Sequence, residues 1–438
     1  MDDDDIATYI GWKGYTIYKK NISVQEQQML RKELNVKPFV PKSSLMKPQP
    51  FPVYRESKNK IYVPIFYGME VYGEPDEIRI DDGKKINVSF KGELRPKQKP
   101  VVKKFMKHIK KKNSGLLALH TGFGKTCLAL NIISKIKLKT IIIVHKEFLL
   151  RQWVERIEQF LPDAKVGKIQ AKTIDTEGKD IVICMLQSLS MKEYPKDMFR
   201  EYGFSIYDEV HHLGAEVFSK AFYKVVTKYS LGLSATINRK DGLTKVIKWF
   251  LGDVVCKLER KGEDNVLVKV INYETTDEDF NKIETDWRGQ IKYTTMVKKL
   301  CEFNNRSEFI LKVLSDLLKG NPNQQVMILA HQKKLLQYLH DAIRHRTIAT
   351  VGYYVGGMKE KDLKISEGKK VIIATYAMAE EGLDIKSLTT LIMATPKVDV
   401  RQSVGRILRQ KHNEAVVVDI VDSHSLFQRH FTLSLIHI

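Results

Sequence analysis

Cysteine is scarce in this chain of 438 residues: Cys127, Cys184, Cys256 and Cys301 stand far apart and form no C-x-x-C pair. Such spacing offers neither a disulfide framework nor a zinc knuckle, and it suits a reducing compartment. Long apolar runs are absent too. No stretch approaches the roughly 18 residues that a membrane-spanning helix requires, and the opening MDDDDI lacks the basic-then-apolar order of a secretory leader. A soluble intracellular protein with no membrane partner is expected. Acidic residues are in the minority, 52 Asp and Glu against 73 Lys and Arg, for a net charge of +21. This surplus favours a polyanionic partner through counterion release and long-range steering, nucleic acid first among them. A surplus that serves only solubility is the plainer alternative.

The length exceeds what one hydrophobic core usually organises, so two or three domains are expected. Residues 1–92 carry no catalytic pattern and are read as a small accessory module. Five prolines between Pro38 and Pro52 prevent a helix there, and the stretch Ile61 to Ile80 alternates extended, aromatic and glycine-containing pieces, which suggests a β-rich fold. Its aromatics Tyr62, Phe66, Tyr67 and Tyr72 could stack on bases, although aromatics more often build the core of such a module. From Leu94 onward the pattern becomes one of helices alternating with short apolar strands, the signature of a parallel α/β sheet. Strands are expected at Leu116 to Leu119, Thr140 to Val144, Ile181 to Met185, Ser205 to Tyr207 and Ser230 to Leu233, with helices at Lys125 to Ile136 and Glu147 to Phe160. After a polar, partly helical connection over 257–320, a second set follows at Gln325 to Leu329, Val371 to Ala374, Leu391 to Ala394 and Ala415 to Ile420. The fold class is therefore α/β, with two tandem parallel-sheet lobes at 93–256 and 321–432. The final LSLIHI, residues 433–438, is what a transposon-end sequencing adapter encodes in one frame, and is expected to be a read-through scar; an ordinary apolar terminus is the alternative.

The strongest local motif is His120-Thr121-Gly122-Phe123-Gly124-Lys125-Thr126, which follows an apolar strand and opens an amphipathic helix. A phosphate-binding loop needs this context: glycines let backbone N–H groups approach the phosphates and the helix N-terminus adds partial positive charge. Lys125 would reach the β and γ oxygens and Thr126 would hold Mg²⁺. Leu119 occupies the first glycine position of the strict G-x-x-x-x-G-K-T pattern, a departure from it. Downstream, a short strand delivers Asp208-Glu209-Val210-His211 to the carboxyl edge of the sheet, where ligands of open α/β sheets bind. Asp208 is placed to hold the Mg²⁺ shell and Glu209 to polarise an attacking water. Zinc ligation by His211 and His212 is a poor rival, because adjacent residues point apart and no cluster completes a tetrahedron.

With Ser234-Ala235-Thr236 and Gln402 to Arg409 (QSVGRILR) in the same order, these segments resemble the superfamily 2 helicases, and most closely the XPB-type DNA helicases and the poxvirus-type transcript-release helicases of large DNA viruses. The resemblance spans about residues 94–430 and implies two RecA-like lobes that bind ATP and Mg²⁺ and act on nucleic acid, DNA rather than RNA, with 3′ to 5′ movement. Viral transcription or transcript release, transcription machinery as a partner, and residence in host cytoplasm or virion, with the nucleus left open, are implied at a finer level. Arg95 and Gln98 in Leu94-Arg95-Pro96-Lys97-Gln98 resemble the adenine-sensing Q motif; Gln98 offers a donor and an acceptor to a base edge, or is an exposed polar residue at a helix start. His211, Ser234 and Thr236 would couple the nucleotide site to the grip on nucleic acid. Arg239 is left between a phosphate contact and a neighbouring carboxylate. The run Ala374 to Ile385 looks like helicase motif V, where Thr375 would bond a backbone phosphate and Gly382 and Asp384 would face the nucleotide. Gln402, Arg406 and Arg409 belong to the last motif; the two arginines, three apart on one helix face, would act as arginine fingers, against a plain salt-bridged surface. His145-Lys146 and Gln187-Ser188 match strand-end positions that face the sugar-phosphate backbone. Residues 95–112 hold nine Lys or Arg and no acid, a phosphate track or a solvated helix surface. Two other classes stay open: a duplex translocase that never separates strands, and a non-motor nucleic-acid scaffold.

Overall fold

The computed structural model describes residues 7–39, 48–195, 197–212, 216–237, 239, 241–259, 266–382, 385, 387–397 and 415–435. The chain divides into two compact units, Met1–Arg260 and Lys261–Ile438.

Unit 1 begins with a five-stranded sheet ordered β5-β6-β2-β1-β7, in which β1 (Thr8–Gly11), β2 (Gly14–Tyr18), β5 (Arg55–Glu56) and β6 (Lys60–Val63) are antiparallel and β7 (Glu77–Ile78) runs parallel to β1. A small pair, β3 (Asn35–Val36) with β4 (Phe51–Pro52), brings the ends of the proline-rich segment together. Helix α1 (Val24–Glu33) starts at Ser23, whose hydroxyl accepts the Glu26 N–H. The stretch Ile61 to Ile80, expected as extended pieces, is extended only at its ends, because α2 (Ile65–Tyr72) lies between β6 and β7. Two causes are visible. Pro64 stands at the helix N-cap, and Gly68 lies so close to β2 that a Cβ there would sit 2.2 Å from the Tyr15 ring. Tyr62 and Tyr67 are buried, and Tyr67 meets Trp249 edge-on at 5.2 Å, as the core reading of these aromatics requires.

The larger sheet of unit 1 has the order β11-β10-β12-β9-β13-β14-β8-β15. It comprises β8 (Ser114–Leu119), β9 (Thr140–Val144), β10 (Val166–Gln170), β11 (Thr173–Asp175), β12 (Ile181–Met185), β13 (Phe204–Tyr207), β14 (Tyr229–Ser234) and β15 (Val254–Leu258). All pairs are parallel except β10 with β11. The central strands are buried along nearly their whole length and mostly apolar because both faces are covered. Helices α3 (Lys99–Lys112), α4 (Lys125–Ile136), α5 (Glu147–Phe160), α6 (Leu186–Met191), α7 (Glu216–Phe222) and α8 (Thr244–Leu251) connect them. The first sheet shares a core with one face of the second: Ile10, Ile17 and Val63 belong to the same cluster as Leu116, Ile143 and Phe250.

Unit 2 holds a six-stranded parallel sheet ordered β16-β21-β20-β17-β19-β18, built of β16 (Val266–Tyr273), β17 (Gln325–Ala330), β18 (Val351–Tyr354), β19 (Val371–Thr375), β20 (Leu388–Met393) and β21 (Ala415–Asp422). Strand β16 comes from the segment whose polarity suggested a connection. It is an edge strand with several exposed residues, although its sequence, VLVKVINY, is mostly apolar and β-branched. Helices include α9 (Glu278–Asn281), α10 (Tyr293–Glu302), α11 (Asn304–Gly320), α12 (Lys333–His345), α13 (Glu360–Glu367) and α14 (Tyr376–Gly382). Among the described residues no helix is long and apolar enough to cross a membrane.

Candidate functional site

Because β8, β9, β12, β13 and β14 are parallel, the residues that follow them emerge at one edge of the sheet, the edge where open α/β folds place ligands. The loop after β8 enters α4 through Gly122 (φ 81°) and Gly124 (φ 86°), both in the left-handed region. A Cβ on Gly124 would stand 2.6 Å from Gln98 Nε2 and 2.8 Å from Arg95 Nη2, so those side-chain ends lie directly on the loop, and it is the positive φ that favours glycine there. Those two side chains brace the loop. Gln98, buried at 2 % exposure, accepts the Arg95 N–H at 2.9 Å and donates to the Phe123 carbonyl at 2.8 Å. Arg95 donates to the carbonyls of Gly122, at 3.2 Å, and Phe123. The Gln98 amide expected at a base edge thus already spends one donor on the loop and one lone pair on the Arg95 N–H. His120 and Phe123 pack edge-on at 5.4 Å and His120 Nδ1 bonds the Thr121 carbonyl at 2.8 Å.

The carboxylates after β13 are held individually. Asp208, buried, has Oδ1 bonded by the Glu209 N–H at 3.0 Å and Oδ2 by the indole N–H of Trp153 at 2.9 Å. Burial, then the charge of Glu209, pushes the Asp208 carboxyl up, while Lys125 opposes. Glu209 has φ 48°, unusual for a residue with a side chain, and its Oε1 receives the Lys125 ammonium at 2.9 Å. That bond joins the phosphate-loop lysine to the acidic motif. Thr126, in the first turn of α4, is half-buried.

His211 Nδ1 lies 2.9 Å from Ser234 Oγ. The Ser234 hydroxyl donates to the Thr236 carbonyl at 2.6 Å and accepts the Thr236 N–H at 3.1 Å. With its one proton so used, Ser234 must accept from His211, which places the imidazole proton on Nδ1. Burial lowers the His211 pKa, with Glu209 opposing. The acidic motif and the Ser-Ala-Thr segment therefore form one hydrogen-bonded unit across β13 and β14. Arg239 pairs with Asp241 through both forks, at 2.9 and 2.5 Å, which decides for the carboxylate.

At the neighbouring strand ends, Gln187 donates to the His145 carbonyl at 2.7 Å and Ser188 Oγ accepts the Ala171 N–H at 2.9 Å. His145 is buried and its pKa is lowered by that burial and by Lys146. Lys146 stands at the N-cap of α5. In α3 the buried residues are Val101, Val102, Phe105 and Ile109, and Lys103, Lys107 and Lys110 are exposed. In unit 2, Thr375 ends β19 half-buried and Gly382 ends α14. Asp384, Gln402, Arg406 and Arg409 lie outside the described residues.

Sequence reading missed Trp153. On α5 it shares the spacing of Leu149, Leu150 and Ile157, all buried, and so reads as core. The one available signal is that a buried indole N–H needs an acceptor.

Known proteins resemble this chain in both units. Residues 91–239 match the family described as type III restriction enzyme, res subunit, and residues 309–411 match the helicase conserved C-terminal domain. A protein of Acanthamoeba polyphaga mimivirus, named as an ATP-dependent RNA helicase, is 35% identical over 432 residues, 96% of this chain and 82% of the relative. A protein named as a helicase in Invertebrate iridescent virus 6 is 27% identical over 79% of this chain and 81% of its own. One named as an ATP-dependent RNA helicase in African swine fever virus is 28% identical over 72% and 67%. The chain belongs to the superfamily 2 helicases of large DNA viruses, ATP-dependent enzymes that act on nucleic acid.

Proposed function

We propose that the phosphate loop, the Asp208-Glu209 pair and the His211–Ser234 bond form an ATP site whose hydrolysis drives movement along a DNA strand, with strand separation or transcript release as the outcome. The observation that carries this reading is the continuous path from Lys125 through Glu209 and His211 to Ser234. Lys125 exchanges its bond to Glu209 for the β and γ phosphate oxygens; Glu209, so released, orients and polarises the attacking water. Its loss of the lysine is felt by His211, 3.5 Å away at Nδ1, and through it by Ser234.

Thr126 and Asp208 are the oxygen donors suited to Mg²⁺, which when bound neutralises charge on the β and γ phosphates. Asp208 Oδ2 is oriented by Trp153, as expected for a carboxylate that must present a fixed lone pair. Among the described residues no group of three or more His, Cys, Asp or Glu side chains could enclose a metal, so remaining positions fall to phosphates and water, the usual environment of Mg²⁺. The family resemblance gives Arg406 and Arg409 the role of fingers and Gln402, Asp384 and Gly382 that of nucleotide contacts, and would set Thr375, His145, Lys146, Gln187 and Ser188 against the strand, His145 and Ser188 through backbone groups because their side chains are buried. Domain roles follow the lobes, with residues 1–92 accessory and the protein acting in host cytoplasm or virion, the nucleus left open.

A second reading, RNA as the track, is favoured by the names of the mimivirus and African swine fever virus relatives. ATP turnover measured alone and with single-stranded DNA, duplex DNA and RNA decides between them. Stimulation by a DNA form supports the first reading, stimulation by RNA alone the second, and a strand-displacement assay separates helicase from translocase.

A further inference from the structure

Helix α3 carries a face that the ATP site does not use. Val101, Val102, Phe105 and Ile109 hold one side of it against the sheet. The opposite side, followed at helical spacing, is Pro100 in the first turn and otherwise lysine alone: Lys99, Lys103, Lys107, Lys110 and Lys111, with Lys104 at its margin, all of them exposed. Helical surfaces commonly balance such charges with acids one turn away. Residues 95–112 contain none. Nor do β8, β15 and α4, which pack against α3. Of the acids that flank these elements, Glu93 takes Lys99 at 2.9 Å and Glu259 takes Lys257 at 2.5 Å. Asp253 meets the start of β8 through its carbonyl, which accepts the Leu116 N–H at 2.9 Å; Glu263 and Asp264 lie outside the described residues. Lys103, Lys104, Lys107, Lys110 and Lys111 are in no ion pair among the described residues.

This face weakens its own helix. Lys103 with Lys107, Lys107 with Lys110 and Lys107 with Lys111 are like charges three or four residues apart, an arrangement that destabilises, whereas Glu and Lys in alternation would solvate as well and stabilise. A polyanion laid along the helix removes that repulsion and gives the row a use. Lys103 to Lys110 spans about 10 Å of helix axis, within which duplex DNA presents several phosphates, one per about 1.7 Å of its own axis. The only aromatic side chain of α3, Phe105, is buried, so the face offers no platform on which an unpaired base could stack. Point charges alone read phosphates and no sequence. We infer that the lysine face of α3 is a docking site for the phosphate backbone of duplex nucleic acid, separate from the strand contacts at the carboxyl edge of the sheet. The inference rests on the reading of the chain as a nucleic-acid motor.

The test compares the full chain with the triple variant Lys103→Gln/Lys107→Gln/Lys110→Gln, using short fluorescent duplex DNA, duplex RNA and unpaired oligo-dT at several salt concentrations, without nucleotide. Duplex DNA loses affinity with salt at a slope of about −0.9 per phosphate contact. The variant is expected to bind both duplexes about tenfold or more weakly at low salt, with the duplex DNA slope shallower by about 2.7, and to bind oligo-dT as the wild type does. Its melting temperature should not fall, because the three side chains are exposed and their mutual repulsion is gone. Lys103→Arg/Lys107→Arg/Lys110→Arg, which keeps the charge, should keep the wild-type affinity and slope. Equal duplex affinity and slope in wild type and glutamine variant would overturn the docking site, and a loss as large on oligo-dT would overturn its assignment to a duplex. A wild type that binds none of the three would instead sink the motor reading, so the two failures are distinguishable.

Discussion

Each unit holds an ion pair at the carboxyl edge of its sheet, and the two pairs differ in every respect that matters. In unit 1, Lys125 and Glu209 meet through a single contact at 2.9 Å, with side chains 14% and 25% exposed. In unit 2, Arg306 on α11 grips Asp422 at the end of β21 through both forks, at 2.6 and 2.8 Å, and gives a third bond, 2.8 Å, to the Ala394 carbonyl beyond β20. Both partners are wholly buried. One pair can be exchanged for another anion at small cost, because water already reaches it. The other closes a gap between strand ends and has no substitute partner. Chemistry thus resides where the charges can change partners, and architecture where they cannot.

Breaking the buried pair should have the largest effect. Arg306→Ala leaves Asp422 buried without its counter-ion, and a loss of about 3–5 kcal/mol in unfolding free energy is expected from denaturant titration. A cost below about 1 kcal/mol would place Asp422 within reach of water and erase the contrast. Lys125→Ala should do the reverse: stability changes by less than about 1 kcal/mol, as for a pair near the surface, while ATP turnover with nucleic acid falls by about 10²-fold or more, the scale of a lost oxyanion donor. Unchanged turnover would show that the site lies elsewhere.

Asp419, on the same strand as Asp422, sharpens the comparison through pH. Burial, then the charge of Asp422, raises its pKa to about 7, against about 3.9 in an unfolded chain. Between these values the folded state binds more protons, so stability falls as pH rises from about 4 to 7. Asp419→Asn should flatten thermal unfolding against pH in that window and raise the melting temperature at pH 8. An unaltered profile would mean that Asp419 titrates normally. The smallest effect belongs to Ser234→Ala. Removing one hydroxyl from the His211 link costs about 1 kcal/mol of stability, yet ATP turnover should become less responsive to nucleic acid. Full stimulation in that variant would cut Ser234 out of the coupling path.

Much of this could be read from the chain before folding. Helices α4 and α5 begin and end at the expected residues, and the central strands β8, β9, β12, β13, β14, β17, β19, β20 and β21 fall on or within a few residues of the expected segments, because a strand covered on both faces is a largely apolar run between turn signals; β10, β11, β15 and β18 were not expected. Helix α2 was hidden, since its aromatics have strand propensity and the packing of Gly68 on Tyr15 that favours the helix is a tertiary contact. Strand β16, VLVKVINY, is a mostly apolar run that was absorbed into the polar segment around it. At the site, the glycines and acids announce themselves by spacing, whereas the pairing of Lys125 with Glu209, 84 residues apart, and the choice of Arg239 for Asp241 depend on side-chain directions that no pattern encodes.

The indole of Trp153 has one more consequence. Its N–H is fixed to Asp208 in a dry setting, so its fluorescence should change in intensity and wavelength whenever that carboxylate takes a new partner. The chain has four tryptophans, and Trp287 at 84% exposure contributes a red-shifted, solvent-quenchable background that an external quencher removes. What is left, with Trp12 and Trp249 substituted by phenylalanine, is a native optical reporter of the acidic motif, usable to time each turnover without attaching a dye.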